Sequence, residues 1–153
     1  MLTRRADGYE IDTDPQRLDL PRVHDWLAND AYWAKGRSED TVRKSVTASV
    51  CFGVYDADGN QVGFARAVTD LATFGWLCDV YIAGPARGHG LGTWLAQVAR
   101  DWLFAAGVNR LLLATADAHG VYAKAGFVPL VEPGRWMEID KRTGGAPRPG
   151  PVS

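Results

Sequence analysis

The segment Ala86-Arg87-Gly88-His89-Gly90-Leu91-Gly92-Thr93 sets glycines at alternate positions, leaving a run of backbone N–H groups bare of side chains. At the start of a helix such amides join the positive end of the helix dipole and form a cradle for a phosphate or pyrophosphate. Asp79 is a second residue of chemical interest, a carboxylate inside the apolar run Trp76-Leu77-Cys78-Asp79-Val80-Tyr81-Ile82. A buried carboxylate is costly unless it has a partner or a task. Asp79 therefore either acts as a base or pairs with a basic neighbour such as Arg66 across a sheet. Further along stand His119, an imidazole able to take or give a proton, and Tyr122, a phenol that stays protonated at neutral pH.

A cradle of this kind needs a strand before it and a helix behind it. Upstream, Phe74 to Ile82 is rich in aromatic and β-branched residues and predicts a strand. Trp76, Cys78, Val80 and Ile82 should share one face, and Leu77, Asp79 and Tyr81 the other. Gly84 and Pro85 end the run. Downstream, Leu91, Leu95, Val98 and Trp102 recur at helical spacing and predict an amphipathic helix, for which Gly107 is the natural stop. Two nucleotide-binding patterns fail here. A triphosphate loop needs Lys followed by Ser or Thr after its last glycine, whereas Gly92 is followed by Thr93 and Trp94. A dinucleotide fingerprint needs a third glycine where Thr93 stands.

The pattern Arg87-x-x-Gly90-x-Gly92 resembles the coenzyme A loop of the GCN5-related N-acetyltransferase (GNAT) superfamily. A second match lies downstream. Arg110 to Ala114 reads as a buried strand, and Tyr122-Ala-Lys-Ala-Gly126-Phe127 after it is similar to the Tyr-x-x-x-Gly-Phe signature of such chains. The resemblance extends over residues 50 to 140 and implies an α/β fold: a central mixed, mostly antiparallel sheet flanked by helices. Two central strands, here Phe74–Ala83 and Arg110–Ala114, would splay into a notch for the pantetheine arm.

The resemblance implies an N-acetyltransferase that moves acetyl from acetyl-CoA to a primary amine on a small molecule, peptide or protein, without a metal. A module that binds acyl-CoA without turnover, as a sensor or partner, is the alternative. Cofactor contacts would come from Val80, Tyr81 and Ile82 on the notch strand and from Arg87, Gly88, His89, Gly90, Leu91, Gly92 and Thr93 in the cradle. Thr115 stands where the family often has an asparagine on the pantetheine arm, and Asp117 or the local backbone could substitute. Tyr122 would protonate the departing thiolate. Asp79, directly or through water, would be the base, with His119 as the alternative. The acceptor would meet Tyr32, Trp33 and Arg37 in the loop joining the N-terminal helices. A homodimer is a further implication.

Composition agrees with a soluble globular domain: 153 residues, 46% hydrophobic and 23% charged. One domain is expected over residues 1–142, followed by a disordered Pro/Gly-rich tail, 143–153. A net charge of −1 offers no electrostatic case for nucleic acid or membrane. No apolar span or signal-peptide core is evident, so a cytoplasmic protein is expected. Cys51 and Cys78 lie in apolar runs and predict buried free thiols, while His24, His89 and His119 show no metal-ligand spacing. Tyr9 to Asp12 predicts a short opening strand. Asp19 and Ser38 are candidate caps for two helices, one carrying Pro21, Val23, Trp26 and Leu27, the other Thr41 to Val46. Strands follow over Ser49–Tyr55 and Gln61–Asp70, joined by a turn at Asp56–Asn60, and Trp136–Asp140 predicts a last strand.

Overall fold

Six strands lie side by side in chain order, and the last two diverge. The computed structural model describes residues 1–142. Strands β1 (Leu2–Arg4) and β2 (Glu10–Asp12) precede helices α1 (Leu20–Asn29) and α2 (Glu39–Thr47). Strands β3 (Val50–Tyr55), β4 (Gln61–Thr69) and β5 (Gly75–Ile82) then lead into helix α3 (Leu91–Ala105), strand β6 (Leu111–Leu112) and helix α4 (His119–Lys124). Every neighbouring pair from β1 to β5 is antiparallel. β6 alone runs parallel to its neighbour, pairing Gly75 with Leu111 and Trp76 with Leu112. Beyond Trp76, β5 continues to Ile82 with no strand partner on that side among the described residues. The result is a mixed, mostly antiparallel sheet between helices, with a notch where β5 and β6 part.

Local chemistry sets the helix ends. Asp19 accepts from the Arg22 amide at 3.1 Å to cap α1, and Ser38 accepts from the Thr41 amide at 3.1 Å to cap α2. α3 closes in a Schellman turn at Gly107, whose φ is +107°. The Val108 amide reaches the Leu103 carbonyl at 3.1 Å and the Gly107 amide the Phe104 carbonyl at 3.0 Å. One face of the sheet packs Phe52, Val54, Ala65 and Leu77 against Leu91, Leu95, Ala99 and Leu103 of α3. The other face packs Cys51, Phe64 and Tyr81 against Val23 and Leu27 of α1 and Val42 and Val46 of α2.

Four expectations need correction. β5 does not alternate strictly: Asp79 sits at φ +52°, and the ladder with β4 jumps from Arg66–Cys78 to Phe64–Tyr81. Ala65 thus faces two residues, a β-bulge that switches faces. Leu77 packs with Val80 and Ile82 on the α3 side, whereas Tyr81 packs on the α1–α2 side. The opening strand is a hairpin, β1 with β2, where Tyr9–Asp12 alone was expected. The strand over Arg110–Ala114 is confined to Leu111–Leu112, because β5 veers away beyond Trp76. Trp136–Asp140 forms no strand. Met137 and Ile139 are 96% and 97% exposed, so the segment has neither a ladder nor a buried face to hold it. It is held at Trp136 instead, where the Arg110 guanidinium lies 4.9 Å from the ring, and Arg142 pairs locally with Asp140.

The expected tail, 143–153, lies outside the described residues. Among those described, no helix is long and apolar enough to cross a membrane. Cys51 is buried and Cys78 half-buried, and both are free. Burial pushes their thiols up to about 12 and about 11.

Because Gly107 holds a left-handed conformation with open space around it, Gly107→Ala should cost roughly 1–2 kcal/mol from backbone strain alone. Urea unfolding measures this. A loss below a few tenths of a kcal/mol would contradict the Schellman closure.

Candidate functional site

β5 ends at Ile82, and one 3-10 turn over Gly84–Ala86 carries the chain to Arg87. Gly88 (φ +88°) and Gly90 (φ +70°) are both left-handed, and a Cβ added at either would meet nothing within 4 Å. The need for glycine here is conformational, and the space in front of the loop is open. Gly90 begins α3 with no side-chain cap. Among the described residues the amides of Gly88, His89 and Gly90 have no hydrogen-bond partner. Leu91 is buried, Thr93 half-buried in the first turn, and Gly92 lets α3 approach α4: its added Cβ would lie 3.7 Å from Val121. The arrangement is an anion cradle in the physical sense of bare donors at a helix N-terminus.

The cradle is braced from a distance. Arg5, just after β1, donates to the His89 carbonyl at 2.8 Å and sits 5.1 Å from the Trp94 ring, while Tyr9 lies 5.9 Å from the His89 imidazole. Sequence reasoning missed Arg5 and Tyr9, and no local pattern marks them. Arg87 folds back to the Ile82 carbonyl at 2.9 Å and reaches Asp30 at 3.4 Å. Asp30 also accepts from the Tyr81 hydroxyl, the largest cause of an Asp30 carboxyl below the usual range. Burial, then the Asp30 bond, pushes the Tyr81 phenol up to about 12.

On the far side of the notch, α4 presents Tyr122. Its C-terminus is a second Schellman turn: Gly126 has φ +95°, its amide bonds Ala123 at 3.0 Å, and the Phe127 amide bonds the Tyr122 carbonyl at 3.1 Å. Such turns carry an apolar contact between the residues flanking the cap. Here that contact is Phe127 edge-on to the Tyr122 ring at 6.0 Å. The Tyr-x-x-x-Gly-Phe signature is thus a helix cap that also fixes the phenol. Its hydroxyl has no hydrogen-bond partner among the described residues, and burial, aided by Tyr32 and Asp117, pushes it up to about 12. Thr115 accepts from the Ala118 amide at 3.0 Å and shapes the turn into α4. Asp117 and His119 are exposed beside it.

Asp79 carries the densest polar cluster. Its Oδ1 accepts from Trp33 Nε1 at 3.0 Å, and its Oδ2 from Arg37 Nη1 at 2.8 Å and Arg66 Nε at 2.9 Å. The side chain is 2% exposed. Pairing with Arg66, one of the two readings of this carboxylate, is present, joined by Arg37 and Trp33. Three of the expected residues therefore meet at one point. Tyr32 packs edge-on to Trp33 at 5.0 Å and accepts from the Ala116 amide at 3.1 Å, which links the α1–α2 loop to the turn before α4. His119 joins neither group by any side-chain hydrogen bond or ion pair among the described residues. A cavity of about 470 Å³ opens on Tyr32, Trp33 and Arg37. A larger one, about 890 Å³, lies by Phe104, Leu111, Phe127 and Trp136 and touches none of the expected site residues. No group of three His, Cys, Asp or Glu residues is placed to hold a metal among the described residues.

Removing one partner of a buried ion cluster leaves the other charges stranded. Asp79→Ala should destabilise the protein by about 3 kcal/mol, at the low end of that range because Arg37 and Arg66 keep some solvent contact. Urea unfolding is the readout, and a loss under about 1 kcal/mol would mean the cluster holds nothing in place.

With the geometry established, comparison with known proteins is informative. A family model described as the acetyltransferase (GNAT) family matches residues 20–127. A protein of Gibberella zeae, provisionally named an acetyltransferase, is 30% identical with 76% of each chain covered. The crystal structure of a GNAT-family protein from Xanthomonas campestris pv. campestris, also provisionally an acetyltransferase, superposes with a TM-score of 0.81 at 38% identity, covering 86% of this chain and 92% of that one. Spermidine N-acetyltransferase from Vibrio cholerae, solved with CoA and spermine, shares the fold at a TM-score of 0.65 and 23% identity, covering 79% of this chain and 81% of that one.

Proposed function

The chain belongs to the GNAT acetyltransferase family, and on that footing we propose that it is an N-acetyltransferase, moving the acetyl group of acetyl-CoA to a primary amine of a small molecule or peptide. The observation that carries this reading is the cradle: bare amides at Gly88, His89 and Gly90, open space before them, and a helix N-terminus behind. These features fit a diphosphate. Beyond Trp76 the β6-side edge of β5, along Val80, Tyr81 and Ile82, has no strand partner among the described residues and is open to an extended pantetheine arm once Arg87 leaves the Ile82 carbonyl. Arg87, whose Nη1 has no hydrogen-bond partner among the described residues, would add charge to the same anion.

In this reading a neutral amine attacks the thioester carbonyl, a C–N bond forms and the C–S bond breaks. Tyr122 gives its phenolic proton to the departing sulfur. Its free hydroxyl and raised titration support that role, because a phenol that holds its proton is a competent donor across the neutral range. Asp79 already accepts from three donors and is a poor base. Its part is positioning: it holds Trp33 and Arg37, and through them the loop bearing Tyr32, against the notch. The amine's proton then passes to water or to His119. Thr115 and Asp117 shape the turn under Tyr122.

Gly90→Glu sets a bulky negative side chain in the cradle and should abolish acetyl-CoA binding in calorimetry. Retained affinity would remove the cradle from the mechanism. Tyr122→Phe should lower kcat by roughly ten- to a thousandfold with coenzyme A affinity kept, extending slightly below the usual range for acid catalysis. Since the required form is protonated and burial raises the titration, the wild-type rate should hold on the alkaline side until pH passes the ordinary phenol value of about 10. An earlier alkaline fall matched by Tyr122→Phe would assign that limb elsewhere.

A further inference from the structure

We infer that the acceptor carries an anionic group, a carboxylate or a phosphate, beside its amine, and that Arg37 and Lys35 receive it. This rests on the acetyltransferase reading and names the substrate class of the same site.

The argument begins with an imbalance of charge. Arg37 and Arg66 converge on a single carboxylate oxygen of Asp79 while Trp33 donates to the other, so two positive charges meet one negative charge and one is left over. The side chains of Arg37 and Arg66 are only 21% and 14% exposed, so water screens that excess poorly. A partly buried surplus charge favours a counter-ion. The cavity of about 470 Å³ opens on this cluster, lined by Tyr32, Trp33, Lys35, Arg37 and Arg142, and no carboxylate lines it among the described residues. The nearby carboxylates face other cations: Asp140 pairs with Arg142, which Glu138 also reaches electrostatically, and Asp30, within electrostatic reach of Lys35, pairs with Arg87. Glu39, next along the chain, pairs with Arg43.

Tyr32 links the cavity to the turn before α4. Its hydroxyl accepts from the Ala116 amide in that turn, and Tyr32 lies within electrostatic reach of the Tyr122 phenol. An acceptor seated with its anion on Arg37 and Lys35 would extend along Tyr32 toward the turn before α4. The planar guanidinium suits a carboxylate or phosphate, and the field of the cavity opposes a polycation such as a polyamine.

Matched acceptors test this at saturating acetyl-CoA, following thiol release. β-Alanine and O-phosphoethanolamine form the anionic arm and separate carboxylate from phosphate. β-Alaninamide and ethanolamine form the neutral arm, and spermidine the polycationic one. The expected result is a kcat/KM preference of roughly tenfold or more for an anionic member, expressed in KM. Lys35 is exposed, and Lys35→Glu should shrink that preference at least threefold at low salt, with a thermal midpoint matching wild type to show that folding is intact. Equal or better rates with neutral acceptors or spermidine overturn the inference and leave the acetyltransferase reading standing. So does a preference that Lys35→Glu does not move. Acetyl-CoA binding with no acetylation in any arm overturns both.

Discussion

Asp79 lies at the bulge of β5 with its carboxylate shut away from solvent and held by donors from β4 and from the α1–α2 loop. A charge so placed must be neutralised, and a sheet alone offers no cation at that point. Arg66 comes from the neighbouring strand; Trp33 and Arg37 are drawn in from a loop with no regular structure of its own. The carboxylate thus acts as a fastener. It converts a surface loop into a wall of the notch and leaves that wall positively charged.

The bulge that exposes this carboxylate to its partners also reorients the rest of β5. One extra residue moves Tyr81 to the α1–α2 side and returns Val80 and Ile82 to the α3 side. Tyr81 can then meet Asp30 at the end of α1 and rest its ring on Trp26 at 5.3 Å. Past the bulge the strand keeps β4 on one edge and loses β6 on the other. A backbone edge without a partner is unusual inside a sheet, and a ligand that supplies hydrogen bonds there satisfies it.

Rigid supports meet this edge at both ends. Arg5 and Tyr9 steady the cradle through His89. The capped end of α4 orients Tyr122 through Phe127. Sites held by packed elements keep reacting groups within narrow limits, which is what transfer between two bound molecules demands.

Much of this was legible in the amino acids because it is decided within a few residues. The cradle glycines, the caps at Asp19 and Ser38, the stop at Gly107 and the Tyr122–Phe127 signature depend on backbone conformations and on hydrogen bonds reaching only a few positions along the chain. The face assignment in β5 failed because a bulge depends on the partner strand, and Trp136–Asp140 has strand-like alternation without an edge to pair with. Contacts spanning 42 and 84 positions, Arg37 with Asp79 and Arg5 with His89, carry no mark in the letters. The sequence by itself determined where an anion could be gripped and where a phenol would be capped, since both are local consequences of glycine and helix ends. Only the tertiary structure decided that Asp79 fastens a loop and that Lys35, Arg37 and Arg142 line one cavity beside it, because a buried charge takes its partners from whatever the fold brings within hydrogen-bonding distance.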